Sequence, residues 1–426
     1  MKVTALPIGE FSSQQVKDEF HAISGVFSRL GAQVVTADPV AEVQAARQSV
    51  AGLALSQPDL LLIVPLRGAS APVIEATGHA SPAPCLVWPV QGRFALPSSA
   101  LGIGALREAN IPVELVYAPA DNPTAAELAG RILRAATAFV GIRRSRIGVI
   151  GSLFPNLVSC RYDAETVSTK FGATLLPIPF EEVKKAIQQV PEEAVASLKV
   201  ELNSVYAYAV KAGSERALAA GLKLHLALKD IARQERLDGY ATECWSGFPA
   251  RLGLNPCLGF VEEAYSLACE GDVMLCIALL IVRNLTGSSA YVGDLYDVDL
   301  DGLLTLVHCG GPAALASDPQ KVTVAQSPLA LERGFETMTV RPELDPGPVT
   351  VFRLYGANSD KLHVAQGNLV GCDLSANLTV KVALSGSRWD FLKECYGNHY
   401  IVVAGDIRPE LALLAKWLGI TLIETN

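Results

Sequence analysis

Three side chains with metal-binding chemistry stand near the ends of predicted strands. Glu270 follows an apolar strand in the segment CEGDV, and Asp294 follows the next helical stretch in the segment GDL. His399 lies in the segment GNHY, directly before another strand. Ligand sites of α/β sheets lie at the carboxyl ends of strands, and carboxylates with an imidazole suit a hard divalent ion such as Mn²⁺ or Mg²⁺. The three residues together suit a metal site, whereas a structural or solvated role is favoured for each residue taken alone.

Polar and aromatic residues elsewhere are candidates for contacts with a substrate. Glu243 and Trp245 close a further predicted strand, His308 ends a later one, and Asn398 immediately precedes His399. Trp88 lies in the N-terminal region, and an indole either stacks on a substrate or fills a core. Glu243 and His308 fit a substrate contact, support of a metal ligand, or a structural role.

Sequence motifs for other chemistries are incomplete or absent. Gly148-Val-Ile-Gly151 and Gly102-Ile-Gly104 lack the full GxGxxG spacing of a dinucleotide site, and tight turns explain them better. Walker A, GxSxG and HExxH patterns do not occur in the sequence. Phosphate-loop, serine-hydrolase and zincin activities therefore have no support.

The predicted strands and helices that must position these residues group into three domains. Residues 1–143 alternate strands with helices, which indicates a parallel sheet covered on both faces; the predicted strands are residues 3–8, 34–37, 60–65, 85–90 and 113–118. Residues 144–312 repeat this pattern and carry the two metal-binding carboxylates. Residues 313–426 alternate β-forming residues with turns and carry His399. The expected fold is two Rossmann-like α/β domains followed by a β-rich, barrel-like C-terminal domain.

Composition narrows the class of protein. Hydrophobic residues make up 50% and charged residues 18% of the 426 residues, which is typical of a globular chain. The longest apolar runs are too short to span a membrane, the N-terminus lacks the long apolar region of a signal peptide, and the net charge of −8 disfavours nucleic acid. Nine scattered cysteines without CxxC pairs predict buried, reduced thiols. We expect a cytoplasmic protein with no membrane or nucleic-acid partner.

Four segments in order carry a resemblance to a known family. CEGDV, GDLYDVD, HCGG and the C-terminal GNHYIVVAGDIRPELALLAKWLGI resemble the L-fucose isomerase family and its shorter L-fucose/L-arabinose isomerase-like members, from about Arg146 to the end of the chain. By position, the resemblance implies that Glu270 is the first metal-binding carboxylate, Asp294 the second, and His399 the histidine ligand. The chain is shorter than classical members and has no clear counterpart of their arginine-bearing loop near residues 10–14. It also carries different residues beside the first Glu.

The resemblance implies an aldose–ketose isomerase, an intramolecular oxidoreductase of carbohydrate metabolism that requires Mn²⁺ or Mg²⁺. It would act on a free monosaccharide through an enediol(ate) intermediate, with Glu270 and Asp294 both binding the metal and moving the proton between C1 and C2. The resemblance also implies a homo-oligomer, either a trimer or a hexamer, in which the N-terminal domain of one subunit lies near its neighbour's metal site.

The departures from the family leave the sugar open. One alternative is the isomerase of a modified hexose such as a sulfonated sugar of the sulfoquinovose type; candidates to bind its anionic group are Arg161, Arg251, Arg353 and Arg388. A non-catalytic sugar-binding protein would not need the metal set and would usually carry a secretion signal. A metal-dependent aldolase or hydrolase would use similar ligands, although it would more often show several histidines in close motifs, and this chain has six in all.

Overall fold

The computed structural model describes residues 1–53, 57–208, 214–262, 264–356 and 358–425. It confirms the predicted fold class, with two parallel sheets and a closed antiparallel barrel. The chain forms two compact units. The first comprises Met1–Gly141 and Pro409–Trp417, and the second comprises Ile142–Arg408 and Leu418–Asn426.

The first unit is built on a five-stranded parallel sheet in the order β2-β1-β3-β4-β5. Its strands are β1 (Lys2–Ile8), β2 (Gln33–Thr36), β3 (Leu60–Pro65), β4 (Cys85–Val87) and β5 (Val113–Leu115). The helices that cover it are α1 (Gln14–Arg29), α2 (Val43–Leu53), α3 (Ala71–Ala80), α4 (Ala95–Glu108) and α5 (Pro123–Arg144). Every residue of β3 is buried, as expected for the central strand of a sheet covered on both faces. The five predicted strands are confirmed, and β4 and β5 end earlier than expected.

A second parallel sheet, in the order β10-β9-β6-β7, begins the second unit. The strands of this part are β6 (Arg146–Ile150), β7 (Thr174–Pro177), β8 (Ala207–Tyr208), β9 (Gly239–Thr242) and β10 (Ser266–Ala268). The helices are α6 (Ala164–Phe171), α7 (Phe180–Gln189), α8 (Glu192–Val205), α9 (Glu215–Glu235), α10 (Gly247–Leu252) and α11 (Val273–Thr286). Because α11 is buried along nearly its whole length, it is apolar on all sides rather than amphipathic.

The remainder of the second unit is mostly antiparallel. Its strands are β11 (Tyr291–Val298), β12 (Leu303–His308), β13 (Val322–Gln326), β14 (Met338–Pro342), β15 (Gly347–Tyr355), β16 (Lys361–Asp373), β17 (Leu378–Leu384), β18 (His399–Ala404) and β19 (Thr421–Thr425). The short helices α12 (Pro328–Glu332) and α13 (Arg388–Lys393) lie between them. The longer α14 (Arg408–Leu418) follows β18 in the chain and belongs almost entirely to the first unit.

Six of these strands close into a barrel in the order β15-β18-β11-β12-β17-β16, because β16 also pairs with β15. β19 adds to β16 in parallel. The inner face is filled by large apolar side chains, among them Tyr291, Leu306 and Phe391. β13 pairs with β8 on one side and with β14 on the other in a small separate sheet. Within the described residues, no helix is long and apolar enough to cross a membrane.

Candidate active site

The structure brings the three predicted metal ligands together. Asp294 on β11 and His399 on β18 are direct cross-strand partners in the barrel, and Glu270 follows the end of β10. Nε2 of His399 lies 3.3 Å from Oε2 of Glu270 and 3.6 Å from Oδ1 of Asp294. One ligand atom from each residue falls within 4.8 Å of the other two. The cluster therefore joins the edge of the parallel sheet to the rim of the barrel.

Glu270 occupies a constrained turn. Its φ is +60°, in the left-handed region that residues with a side chain rarely adopt, and Gly271 follows with φ +75°. The main chain of Glu270 is held on both sides, since its carbonyl accepts from Phe154 N at 2.8 Å and its N–H donates to Cys244 Sγ at 3.2 Å. A Cβ on Gly271 would lie 2.4 Å from the carbonyl oxygen of Ser152. Unusual backbone that is fixed by its surroundings is common at functional sites.

His399 is fully buried and held at both its ring and its main chain. Its Nδ1 lies 3.0 Å from Oδ2 of Asp272, and its carbonyl oxygen accepts from Nη1 of Arg353 at 2.6 Å. Burial would lower the pKa of His399, but the neighbouring side chains of Asp272, Cys160 and Glu270 together raise it well above its usual value. Burial acts to raise the pKa of Asp272, while the hydrogen bond with His399 and the charges of His399 and Arg353 lower it. Asp272 is therefore a carboxylate in the folded protein.

The donor set fits a divalent cation. Within the described residues, the buried Nε2 of His399 has no hydrogen-bond partner of acceptable geometry, and it faces two carboxylate oxygens. Because two carboxylates face Nε2, the site needs a positive charge there, which either a proton on His399, as its raised pKa permits, or a bound cation supplies. Carboxylate oxygens with one imidazole nitrogen are ligands that Mn²⁺ and Mg²⁺ accept.

A cleft of about 530 Å³ opens onto this cluster. Its lining residues are Phe154, Asn156, Leu157, Ser159, Glu270, Asp294, Leu295, Gly397 and Asn398. Asn398 donates from Nδ2 to Oδ1 of Asp294 at 2.5 Å, so one predicted substrate-binding residue lies beside a predicted ligand. The volume falls within the usual range for small-molecule sites, about 300–1,000 Å³.

The other predicted substrate residues have different surroundings. Glu243 accepts from Ser152 N and Ser246 Oγ, each at 2.7 Å, which ties together the turns that follow β6 and β9. His308 is buried, with Nδ1 2.9 Å from Gly310 O. Neither residue is among those that line the cleft, and their roles toward a substrate stay predictions.

The two tryptophans also make structural contacts. Trp245 is half-buried beneath the guanidinium of Arg333, 4.7 Å from its ring centroid. Trp88 is fully buried within the first unit, where Nε1 donates to Ala118 O at 2.9 Å. The structure does not place the ring of Trp245 in the lining of the cleft, and a sugar contact by Trp88 stays a prediction.

Sequence reasoning missed several residues that shape the site. Asp272 caps α11, where its Oδ1 accepts from Leu275 N at 2.9 Å, and its Oδ2 also contacts His399. Its position two residues after Glu270 is a signal that could have suggested a second role. Cys160 lies close to Asp272 and His399. The wall formed by residues 154–159 carries no local pattern that would have identified it.

The structure separates the four arginines proposed for an anionic group. Arg353 is buried and committed to His399 and to Cys160, whose Sγ is 3.2 Å from Nη2. Arg388 covers the ring of Trp389 at 4.6 Å, and Arg251 covers that of Phe180 at 5.1 Å. Arg161 is exposed and directly follows the cleft wall. No ion pair involves its guanidinium in the described part of the chain.

Comparisons with known proteins bear on the class of enzyme. No family model matches the chain. The chain is 26% identical over 356 residues to proteins named sulfoquinovose isomerase from Priestia aryabhattai and Priestia megaterium, covering 79% of each chain. It is 24% identical over 393 residues to one of that name from a Clostridium species, covering 85% of each. These similarities confirm the predicted enzyme class, an aldose–ketose isomerase, and support the resemblance at the level of a sugar isomerase.

Similarity to solved structures is low. A conserved domain protein from Vibrio cholerae is 16% identical, covers 57% of this chain and 74% of its own, and superposes with a TM-score of 0.21.

Proposed function

We propose that this protein is a divalent-metal-dependent isomerase that interconverts sulfoquinovose and its ketose. The names of three relatives, which match most of the chain, support the sulfonated hexose over a neutral sugar such as L-fucose. The observation that carries the metal dependence is the orphaned, buried Nε2 of His399 beside Glu270 and Asp294. A homo-oligomer, trimer or hexamer, stays a prediction.

Glu270, Asp294 and His399 would hold the metal. A Mn²⁺ or Mg²⁺ ion held there would supply Lewis-acid polarisation of the sugar oxygens, which makes the adjacent carbon-bound proton more acidic. Conversion of the aldose to the ketose moves one proton from C2 to C1 and a second from O2 to O1. One carboxylate accepts the C2 proton and returns it to C1, and the other carries the hydroxyl proton from O2 to O1. Asn398 donates to Oδ1 of Asp294, the oxygen that lies 3.6 Å from Nε2 of His399, and so holds this carboxylate at the proposed metal position.

The sulfonate must be recognised away from the carboxylates, because like charges repel. Among the described residues, the lining of the cleft includes two carboxylates and neither arginine nor lysine, so the cation must come from beyond this lining. Arg161 meets that requirement best. It follows Ser159 and Cys160, is exposed, and has a guanidinium that is not committed to an ion pair in the described residues. We therefore assign Arg161 to the sulfonate.

The proposed reaction is tested by incubating the purified, Mn²⁺-loaded protein with sulfoquinovose, D-glucose and L-fucose in deuterated water and following each sugar by NMR. With sulfoquinovose we expect ketose that carries deuterium at C1, and deuterium at C2 of the aldose regenerated by the reverse reaction. The rate should be at least about 100-fold above that of the neutral sugars, since a site built for one polar group discriminates strongly against its absence. If L-fucose is the best substrate, the proposed sulfonated substrate is wrong and the protein acts on a neutral sugar. No exchange and no product with any aldose would contradict an isomerase.

Replacing Arg161, the cation that we propose binds the sulfonate, is expected to slow the turnover of sulfoquinovose alone. Arg161→Ala should lower kcat/KM for sulfoquinovose about tenfold or more, mostly through KM, because a charge-assisted hydrogen bond is worth roughly 1.5–3 kcal/mol. Any residual rate with D-glucose should be unchanged. Arg251→Ala, which removes another exposed arginine, is the matched control. If kcat/KM for sulfoquinovose falls equally in the two variants, or falls in neither, then Arg161 does not bind the sulfonate.

A further inference from the structure

His399 is held more rigidly than a metal ligand requires for contact alone. The Asp272 carboxylate meets Nδ1 at 3.0 Å, and both side chains are almost completely buried, with 1% and 3% of their surfaces exposed. Water therefore does not compete for this hydrogen bond. Arg353 separately fixes the carbonyl oxygen of His399.

Both oxygens of Asp272 are committed. Oδ1 accepts from the N–H of Leu275 in the first turn of the 14-residue helix α11, and Oδ2 faces the imidazole. The positive end of the helix dipole stabilises a carboxylate in this position. An ionised carboxylate can only accept hydrogen bonds, so the proton of a neutral His399 must reside on Nδ1.

We infer that Asp272 is a positioning residue that fixes the tautomer of His399, so that the Nε2 lone pair points at the metal position between Glu270 and Asp294. The inference rests on the proposed metal site and assigns Asp272 a second role besides capping α11. Without this acceptor, the imidazole could carry its proton on Nε2, where the N–H would bond to a carboxylate and block ligation.

Two substitutions separate the positioning role from the helix cap. Asn and Ser are both good N-cap residues, so Asp272→Asn and Asp272→Ser can keep the hydrogen bond to Leu275. Asn that caps through its oxygen turns its NH₂ toward Nδ1, which then must accept and leaves the proton on Nε2. Ser is too short to span to the imidazole. In both variants the tautomer that binds metal loses its support.

The test is a Mn²⁺ titration of the full-length, metal-stripped protein by calorimetry, with free Mn²⁺ checked by electron paramagnetic resonance. Loss of a carboxylate behind a histidine ligand typically weakens metal binding by about 10–100-fold, and we expect an increase in Kd of that size in both variants. Asp163→Asn is the control, because Asp163 is likewise an N-cap, of α6, through Thr166 N. Its Kd should match the wild type.

Other outcomes have distinct meanings. Variants whose Kd stays within twofold of the wild type, and whose Tm in chelator is lowered, would overturn the inference and leave Asp272 as a helix cap. Wild-type protein that binds no Mn²⁺ would instead contradict the proposed function, and the wild-type titration alone reveals this. Circular dichroism of each variant establishes that it is folded before its Kd is interpreted.

Discussion

Glu270→Gln is expected to lower kcat for sulfoquinovose by about 10²–10⁴, the range that a general acid–base group typically contributes. The Glu270 carboxylate is 13% exposed and lies 3.3 Å from Nε2 of His399. Gln keeps the size of the side chain and the main-chain contacts to Phe154 and Cys244, so the fold should persist. The substitution removes the charge that we propose ligates the metal and accepts the proton. Initial rates at saturating Mn²⁺ and sulfoquinovose measure the effect.

A matched control uses a carboxylate far in sequence from the cleft. Glu127 on α5 is 62% exposed and pairs with Arg131 one helical turn away. Such an exposed pair is worth little, so Glu127→Gln should retain wild-type kcat. If Glu270→Gln keeps a kcat within threefold of the wild type, then Glu270 neither ligates the metal nor transfers the proton.

Local patterns predicted the parallel sheets because each strand is defined by its own residues. β3 is a continuous apolar run, and the strands of the first unit alternate with helices at short intervals. The positions of Glu270 and His399 at strand ends followed from the same local logic. The proximity of Asp294 to His399 did not. It depends on β11 pairing with β18 across more than a hundred residues, and neither strand contains a signal that selects the other.

Asp272 and Arg353, which hold His399 in place, were harder to predict for a related reason. The Asp272 side chain shows its capping role locally, through the helix that follows, whereas its contact with His399 exists only once the barrel has closed. Arg353 was a candidate for an anionic ligand because sequence cannot show that its Nη1 is already committed to a main-chain oxygen. Asp272 and Arg353 each make a contact that only the tertiary structure reveals.

Removing the metal is expected to abolish turnover and to lower the free energy of unfolding together. Prolonged chelation should give inactive protein, and Mn²⁺ or Mg²⁺ should restore the rate. An ion that binds the folded chain stabilises it by about 2.7 kcal/mol at 100 times its Kd, so the Tm should rise with added Mn²⁺. We expect this stabilisation to arise at Nε2 of His399, which faces two carboxylates and has no hydrogen-bond partner among the described residues.

The same two variants test whether this stabilisation arises at the predicted metal ligands. Glu270→Gln should show little Mn²⁺-dependent rise in Tm, since it loses a ligand charge, whereas Glu127→Gln should show the full rise. A rise of equal size in both would place the bound ion elsewhere. Undiminished turnover in protein shown by elemental analysis to be metal-free would end the case for a metal-dependent isomerase. A lone pair facing two carboxylates would then have to be satisfied by a proton, a role that the raised pKa of His399, set by Asp272, Cys160 and Glu270 against the effect of burial, would allow.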